Sequence, residues 1–492
     1  MLNTSVGVPK ECDLSTLPQS IPIDAKNNSI RVQPSNVSSV SGTFSSGTTA
    51  TTIWDGLVFP STQIIFDIPS SGSPSQFLDH RMTSISFNAV FSCTNAGTKG
   101  TGTLFASYLR GGGHAWFDQL DIIGADGTVL ESIPEYGLVV DTLIQNQMTI
   151  AQRDSISMMQ GFVSNAENNI QGHYIPAFSD HALATTDTMT ISYTIPIYSA
   201  LLGTGATKYL NLGRANRLQL RLTTTNVIPV TGGVNAAFTA AATFKCELNN
   251  ITLNLEVIDI GLASLAVLDK STDGNAYSSG ISYKVSSFQM PATSGAISLL
   301  TGIRCSSLKS AIFRFVQNAA LTTANGSYNG KYDSFNPFIN SFRLNVGGMT
   351  YPQQPINPLL QPAHAFYELS KAFGTWNNSL FSSCIVPNNY CVLSRSATGA
   401  ASGLTSTDQD ASYILCTTTV ATDRIISFHL GLNTEIFSRW GLMSGINCSS
   451  APVFVDLQTK LATTYAHSVY CISMVDMVFI HNLSTGLISV RM

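Results

Sequence analysis

The sequence predicts an all-β protein built as two tandem eight-stranded jelly-roll β-sandwiches, with short helices in the longer connecting loops. Three observations carry this expectation. Apolar and polar residues alternate along many short segments, helical periodicity is confined to two stretches, and the order of features in the first half recurs in the second. The 492 residues also exceed the size at which one hydrophobic core keeps growing, so two domains are expected.

Taken in chain order, residues 1–55 read as an extended N-terminal arm. Eleven of the thirty residues from Arg31 to Pro60 are Ser or Thr, with Gly42 and Gly47 among them and little apolar periodicity. The first sandwich is expected over residues 56–262. Within it Met189, Ile191, Tyr193, Ile195 and Ile197 alternate with polar neighbours, as do Leu218, Leu220 and Leu222, and Ile251, Leu253, Leu255 and Val257. A period of two marks strands with one buried face. Residues 263–280, which turn from apolar to polar and glycine-bearing, are expected to link the domains, and the second sandwich to occupy 281–492. Alternation resumes there at Phe342, Leu344 and Val346, at Ile426, Phe428, Leu430 and Leu432, and at Val453, Val455 and Leu457, and YCISMVDMVFIHNL reads as a further strand.

Each half contains one distinctive unit. FDQLDIIGADGTVLESI, residues 117–133, is a strand, a tight Asp126-Gly127 turn and a second strand, followed by Pro134; SFRLNVGGMTYPQQPI, residues 341–356, repeats the outline with Gly347-Gly348 as the turn. A helix is expected after each. The weaker runs from about Glu135 to Gln147. In the stronger, QPAHAFYELSKAFG, Pro362 suits the start, Ala365, Phe366, Leu369, Ala372 and Phe373 form one apolar face, and Gly374 suits the stop. Four landmarks then match at similar offsets: Ile122 with Leu344 at 222, Tyr193 with Phe428 at 235, Leu220 with Val455 at 235, and Leu253 with Met477 at 224. Antiparallel strands of this length hide one face most readily as two packed sheets, and the jelly roll is the common form without the immunoglobulin Cys and Trp signature.

Composition narrows the function. Charged residues make up only 11%, under half of the roughly 25% usual for globular proteins, so less repulsion keeps copies apart and packing them together costs less desolvation. Net charge is −4 and the 25 Lys and Arg are scattered singly, which excludes a basic stripe and any sequence-specific nucleic-acid binding built on one. The nine cysteines (Cys12, Cys93, Cys246, Cys305, Cys384, Cys391, Cys416, Cys448, Cys471) are odd in number and lack a C-x-x-C pair, which argues for buried reduced thiols in a reducing compartment over a zinc ribbon or disulfide framework. MLNTSVGVPKECD has neither a basic nor an apolar signal region, and no apolar run approaches the roughly 18 residues that span a bilayer. The chain is therefore expected to be soluble and intracellular at synthesis, and the N-x-S/T triplets at Asn36 and Asn482 carry little weight.

No stretch carries a convincing catalytic, cofactor-binding or metal site. RGGGHAWF, Arg110 to Phe117, offers three glycines beside His114, but it feeds into a strand where an anion-binding loop feeds into a helix, so a bend or bulge is expected. CTNAGTKGTG lacks the phosphate-loop ending, and GLMSG places Ser444 wrongly for a nucleophile elbow. His173, Asp180 and His181 are read as a solvated loop, Asp408 and Asp410 as a solvated turn, and Asp126-Gly127 and Gly347-Gly348 as hairpin turns.

FDQLDIIGADGTVLESIPEYGLVVDTL, TISYTIPIYSALLG with RLQLRLTTTNVIP, and FRLNVGGMTYPQQPI with its following helix give the chain, over about residues 55–492, an outline that resembles the double jelly-roll major capsid proteins of double-stranded DNA viruses. That lineage includes adenovirus hexon and the coat proteins of tailless phages, virophages and polinton-like viruses. The resemblance implies a non-enzymatic shell protein without cofactor, synthesised in the host cytoplasm and resident in the virion. It implies a homotrimer forming a pseudo-hexagonal capsomer, with neighbouring capsomers, penton and minor capsid proteins and an inner membrane as the contacts open to it. The alternative reading is a secreted or surface tandem β-sandwich binding module of adhesin or lectin type, which calls for a secretion signal. A carbohydrate-active enzyme on a jelly roll calls for paired carboxylates flanked by exposed Trp, and Trp54, Trp116, Trp376 and Trp440 do not cluster with such pairs.

Overall fold

A computed structural model of the chain describes residues 25–46, 58–70, 72–95, 103–107, 111–161, 181–182, 186–207, 209–229, 231–234, 242–269, 274–318, 331–376, 383–394, 414–415, 426–436 and 443–491. The first unit comprises β1 (Lys26–Val32), β2 (Val40–Ser46), β3 (Gln63–Ile68), β4 (Gln76–Asn95), β5 (Thr103–Ser107), β6 (Phe117–Ile123), β7 (Val129–Pro134), α1 (Tyr136–Gln147), α2 (Ile150–Gln160), β8 (His181–Ala182), β9 (Thr186–Pro196), β10 (Leu210–Asn211), β11 (Leu218–Thr224), β12 (Thr231–Val234) and β13 (Ala242–Asp259). After α3 (Gly261–Asp269) come β14 (Asn275–Met290), β15 (Gly295–Leu300), β16 (Leu308–Gln317), β17 (Ile339–Val346), β18 (Met349–Ile356), α4 (Pro362–Ala372), α5 (Pro387–Tyr390), β19 (Val392–Leu393), β20 (Ile414–Leu415), β21 (His429–Asn433), β22 (Val453–Thr459), β23 (His467–Asn482) and β24 (Ile488–Arg491).

Both units are wound alike. In the first, β1 and β2 together pair with β13, then β4, then β9, while a second sheet runs β3, β11, β6, β7. In the second, the orders are β14, β23, β16, β21 and β15, β22, β17, β18. Counted as eight strands per unit, each sandwich has one sheet in the order 1-8-3-6 and one in the order 2-7-4-5, which is jelly-roll connectivity. Smaller pairings (β12, β5, β8, and the parallel β19 and β20) lie outside this frame.

The alternation read from the sequence is the alternation of burial. Leu218, Leu220 and Leu222 are buried while Gln219, Arg221 and Thr223 are less so, and β9 buries Ile191, Tyr193 and Ile195. The landmarks coincide in space as well as in order. Leu220 stands opposite Ile122 in the first unit and Val455 opposite Leu344 in the second. Aromatic contacts repeat too: Phe87 meets Phe117 edge-on at 5.4 Å, and Phe313 meets Phe342 edge-on at 5.5 Å.

Several expectations need correcting. Residues 26–46, expected within an extended N-terminal arm, form β1 and β2 and complete the first unit's larger sheet by pairing with β13. Their Ser- and Asn-rich sequence hides the pairing because a largely exposed edge strand needs no apolar face. Within the expected linker, α3 covers Gly261–Asp269 and β14 begins at Asn275, so little of it is a loop. The helix α2 was not foreseen. Along β13 the buried phase moves from Cys246 and Leu248 to Ile251 and Leu253, because the register slips between Asn249 and Thr252 and Asn250 takes φ 51°.

The two expected helices are present. Pro362 occupies the first turn of α4, and Gly374 at φ 67° ends it, its N–H bonding Lys371 O at 3.0 Å. Glu135 precedes α1 in the left-handed region, which turns the chain sharply out of β7.

Candidate functional site

The stretches that most resemble catalytic motifs are structural. Gly112–Trp116 makes a single buried 3-10 turn before β6, where a bend or bulge was expected. His114 Nε2 lies 2.9 Å from Pro196 O in the interior, and burial holds its pKa down to about 4. A Cβ on Gly111 would come within 2.7 Å of the Tyr332 ring and one on Gly113 within 2.8 Å of Ile195, so these glycines permit close packing.

The opening between β6 and β7 is a hairpin turn: Gly127 takes φ 82°, its N–H bonds Gly124 O at 3.0 Å, and Asp126 accepts from Thr128. Gly347 and Gly348, at φ 57° and 92°, close the equivalent hairpin in the second unit. Ser444 is tied to Glu435 and Asp476 by hydrogen bonds.

Among the described residues, Cys246, Cys305, Cys384, Cys391, Cys448 and Cys471 are buried and in no disulfide. Arg110, His173, Asp180, Asp408, Asp410, Trp54 and Trp440 lie outside the described residues, and of His181 only the backbone is described. Among the described residues no three His, Cys, Asp or Glu side chains gather as metal ligands, and no helix is long and apolar enough to cross a membrane.

Two buried polar networks lie at the junction of the two sandwiches. From the first unit α1 sits on the outer face of β16 and β21. Arg314, wholly buried on β16, donates from Nη1 to Asp141 Oδ2 at 2.9 Å and to Thr142 Oγ1 at 2.8 Å, and from Nη2 to Tyr332 O at 2.6 Å. Asn146 Nδ2 lies 3.2 Å from His429 Nδ1 on β21, and burial together with the Arg314 charge keeps that imidazole well below its ordinary pKa. Apolar packing surrounds the pair, with Leu138 against Val316, Tyr332 and Tyr470.

A second polar knot joins β7 to β14. The Glu131 carboxylate accepts from Ser199 Oγ at 2.5 Å, from Ala200 N–H at 2.9 Å and from Ser282 Oγ of the second unit at 2.5 Å. Burial raises its pKa, and the hydrogen bonds oppose that rise. Beside it the backbones meet directly: Thr207 N–H bonds Ser279 O at 3.0 Å, and Ile281 N–H bonds Gly205 O at 3.0 Å. Sequence reasoning missed this junction, since Arg314 and Asp141 are 173 residues apart and Glu131 and Ser282 are 151 apart.

One buried core runs through both units, so the junction holds them as one body. What the arrangement offers chemically is rigidity: buried Arg314 and Glu131 each hold a hydrogen-bond partner from the other unit.

Comparison with solved structures agrees with the connectivity. The chain superposes on one from the cryo-EM structure of the Sputnik virophage with TM-score 0.52 at 11% identity, covering 93% of this chain and 89% of that one. The mavirus major capsid protein gives 0.48 at 11% identity over 92% and 90% of the two chains, and the faustovirus major capsid protein 0.48 at 10% over 92% and 90%. No protein-family model and no curated protein matches the sequence. The likeness is one of fold, and the fold is the double jelly roll.

Proposed function

We propose that the chain is a major capsid protein, three copies of which form a pseudo-hexagonal capsomer that tiles an icosahedral viral shell. The observation that carries this reading is the tandem repetition of one eight-strand connectivity, locked into a single body by the Arg314 and Glu131 junctions. Three such chains place six like sandwiches around one axis, and six like units approximate a hexagon although the true symmetry is three-fold. Superposition over nearly the whole chain on a protein of the Sputnik particle supports it.

Shell building needs contacts that are individually modest. A standard interface of about 1,600 Å² gains roughly 25 cal/mol per Å² gross, most of it offset by lost motion and polar desolvation. Repetition makes the whole stable while each contact can still be corrected. The low charge content of the chain, 11% of residues, suits such packing. The role requires no catalytic step and no cofactor. Residence in the virion after synthesis in the host cytoplasm follows from the same reading, as do penton and minor capsid proteins as partners.

Electron microscopy of the purified chain at rising concentration tests the proposal. Hexagonal plates, sheets or closed shells support it. A dispersed monomer that instead binds a glycan surface would support the binding-module reading.

A further inference from the structure

The two larger sheets have the same connectivity but opposite treatment of their outer faces. In the second unit that face is covered: Ile312, Arg314 and Val316 on β16 and His429 on β21 are buried. The cover is α1, contributed by the first unit, together with α4, whose Leu369 packs on Gly431 of β21. In the first unit the described residues of the corresponding face lie open. Thr190, Ser192 and Thr194 on β9 are exposed, and Ser84, Ser86 and Asn88 on β4 are partly so.

Among the described residues, Thr190, Ser192 and Thr194 thus stand uncovered on a face whose twin, in the same chain, accepts a helix. The second unit has a helix with a spare side. Counted from their first residues, Leu138, Asp141 and Gln145 of α1 are matched by His364, Tyr367 and Lys371 of α4. The α1 residues are buried at the junction, Leu138 and Asp141 directly against the second unit.

Their α4 counterparts face outward, with His364 and Lys371 side chains 48% and 34% exposed. They form a preorganised aromatic and cationic ridge: Tyr367 meets Trp376 edge-on at 4.6 Å, Lys371 Nζ stands 4.7 Å over the Tyr367 ring, and Trp376 is 52% exposed.

We infer that the α4 ridge of one copy seats on the open β4 and β9 face of the next copy, repeating between chains the contact that α1 makes within one. This rests on the trimeric capsomer reading and assigns its interface. The chemistry is complementary: large, rigid aromatic groups lie on a surface of hydroxyls and amides, which adapts to them without burying unpaired charge. Ser86 Oγ and Thr194 Oγ1 lie 3.1 Å apart, and Asn254 donates to Ser86 at 2.8 Å, so the face keeps its own hydrogen bonds when covered. The contact is heterologous, each chain giving α4 once and receiving it once, and the three-fold axis of the trimeric reading closes it into a ring.

The test uses the full chain and two double variants on opposite sides of the contact. Tyr367→Ala with Trp376→Ala removes the ridge; Ser86→Arg with Ser192→Glu blocks the face with charges that can pair diagonally within the sheet. With wild type a trimer, each variant alone is expected to be a folded monomer by light scattering and thermal melting. An equimolar mixture of the two is expected to give a one-to-one dimer, since one intact ridge and one intact face remain. Trimers from both variants overturn this interface and leave the capsid reading standing, whereas a monomeric wild type overturns that reading and the inference with it. Should a variant fail to fold, hydrogen exchange of wild type decides. Protection of α4 and β9 in the trimer relative to dilute monomer supports the inference, and equal exchange overturns it.

Discussion

Arg314 and Asp141 meet across the junction at 2.9 Å with side chains 0% and 1% exposed, one on the second sandwich and the other on a helix of the first. A buried pair of this kind fixes orientation more than it adds net stability, but leaving one partner alone is costly. Arg314→Met is therefore expected to destabilise the fold by about 3 to 5 kcal/mol in denaturant unfolding. The double change Arg314→Met with Asp141→Leu should recover most of that loss. A double variant as unstable as the single would show that the charges contribute little as a pair.

Five histidines, His80, His114, His429, His467 and His481, have pKa values lowered chiefly by burial, His114 to about 4 and His467 to about 3. Unfolded, each would titrate near its ordinary 6.5. Between those values the unfolded chain binds more protons than the folded one, so stability is complete above about pH 6.5 and falls as pH drops. Glu131, raised above 4.5, has the opposite sign: its contribution is present at low pH and is lost as pH rises through its folded value. Five groups outweigh one. Midpoints of urea unfolding should fall steadily between about pH 6.5 and 4, and a flat profile would contradict the burial of these imidazoles.

The backbones of the two units pack tightly at Gly280, where an added Cβ would lie 2.3 Å from Ala200 O. Backbone atoms cannot swing aside. Gly280→Ala is expected to cost about 1 to 3 kcal/mol, the usual range for overpacking. Gly127→Ala, in an open hairpin turn, should cost less, its penalty coming only from φ 82°. Equal losses at both positions would remove the junction as the tighter site.

Because the buried core is continuous across both units, they should unfold together. Leu220→Ala is expected to cost about 2 to 5 kcal/mol and to lower a single calorimetric transition without splitting it. Two separated transitions would show the sandwiches to be energetically independent.

How much of this was legible in the sequence depended on what each residue faces. Leu220 and Val455 could be matched because each lies on a strand with one face in the core, where a period of two survives. β23 shows no alternation because both its faces are buried from His467 to Phe479, so it read as a strand only from its apolar run. β1 and β2 were lost because they lie at a sheet edge and need little apolar surface. The Asn250 bulge hides a change of phase that period alone reports as a break. At the junction nothing local marks Asp141 or Arg314, since a charge inside an apolar segment announces burial but not its partner.

If one chain supplies two like sandwiches so that three chains make a six-unit block, the mass of the purified particle in solution reveals it. Light scattering or native mass spectrometry should return three times the 52.6 kDa chain, unchanged on moderate dilution. A mass of one chain at all concentrations, or of an assembly not divisible by three, would contradict it.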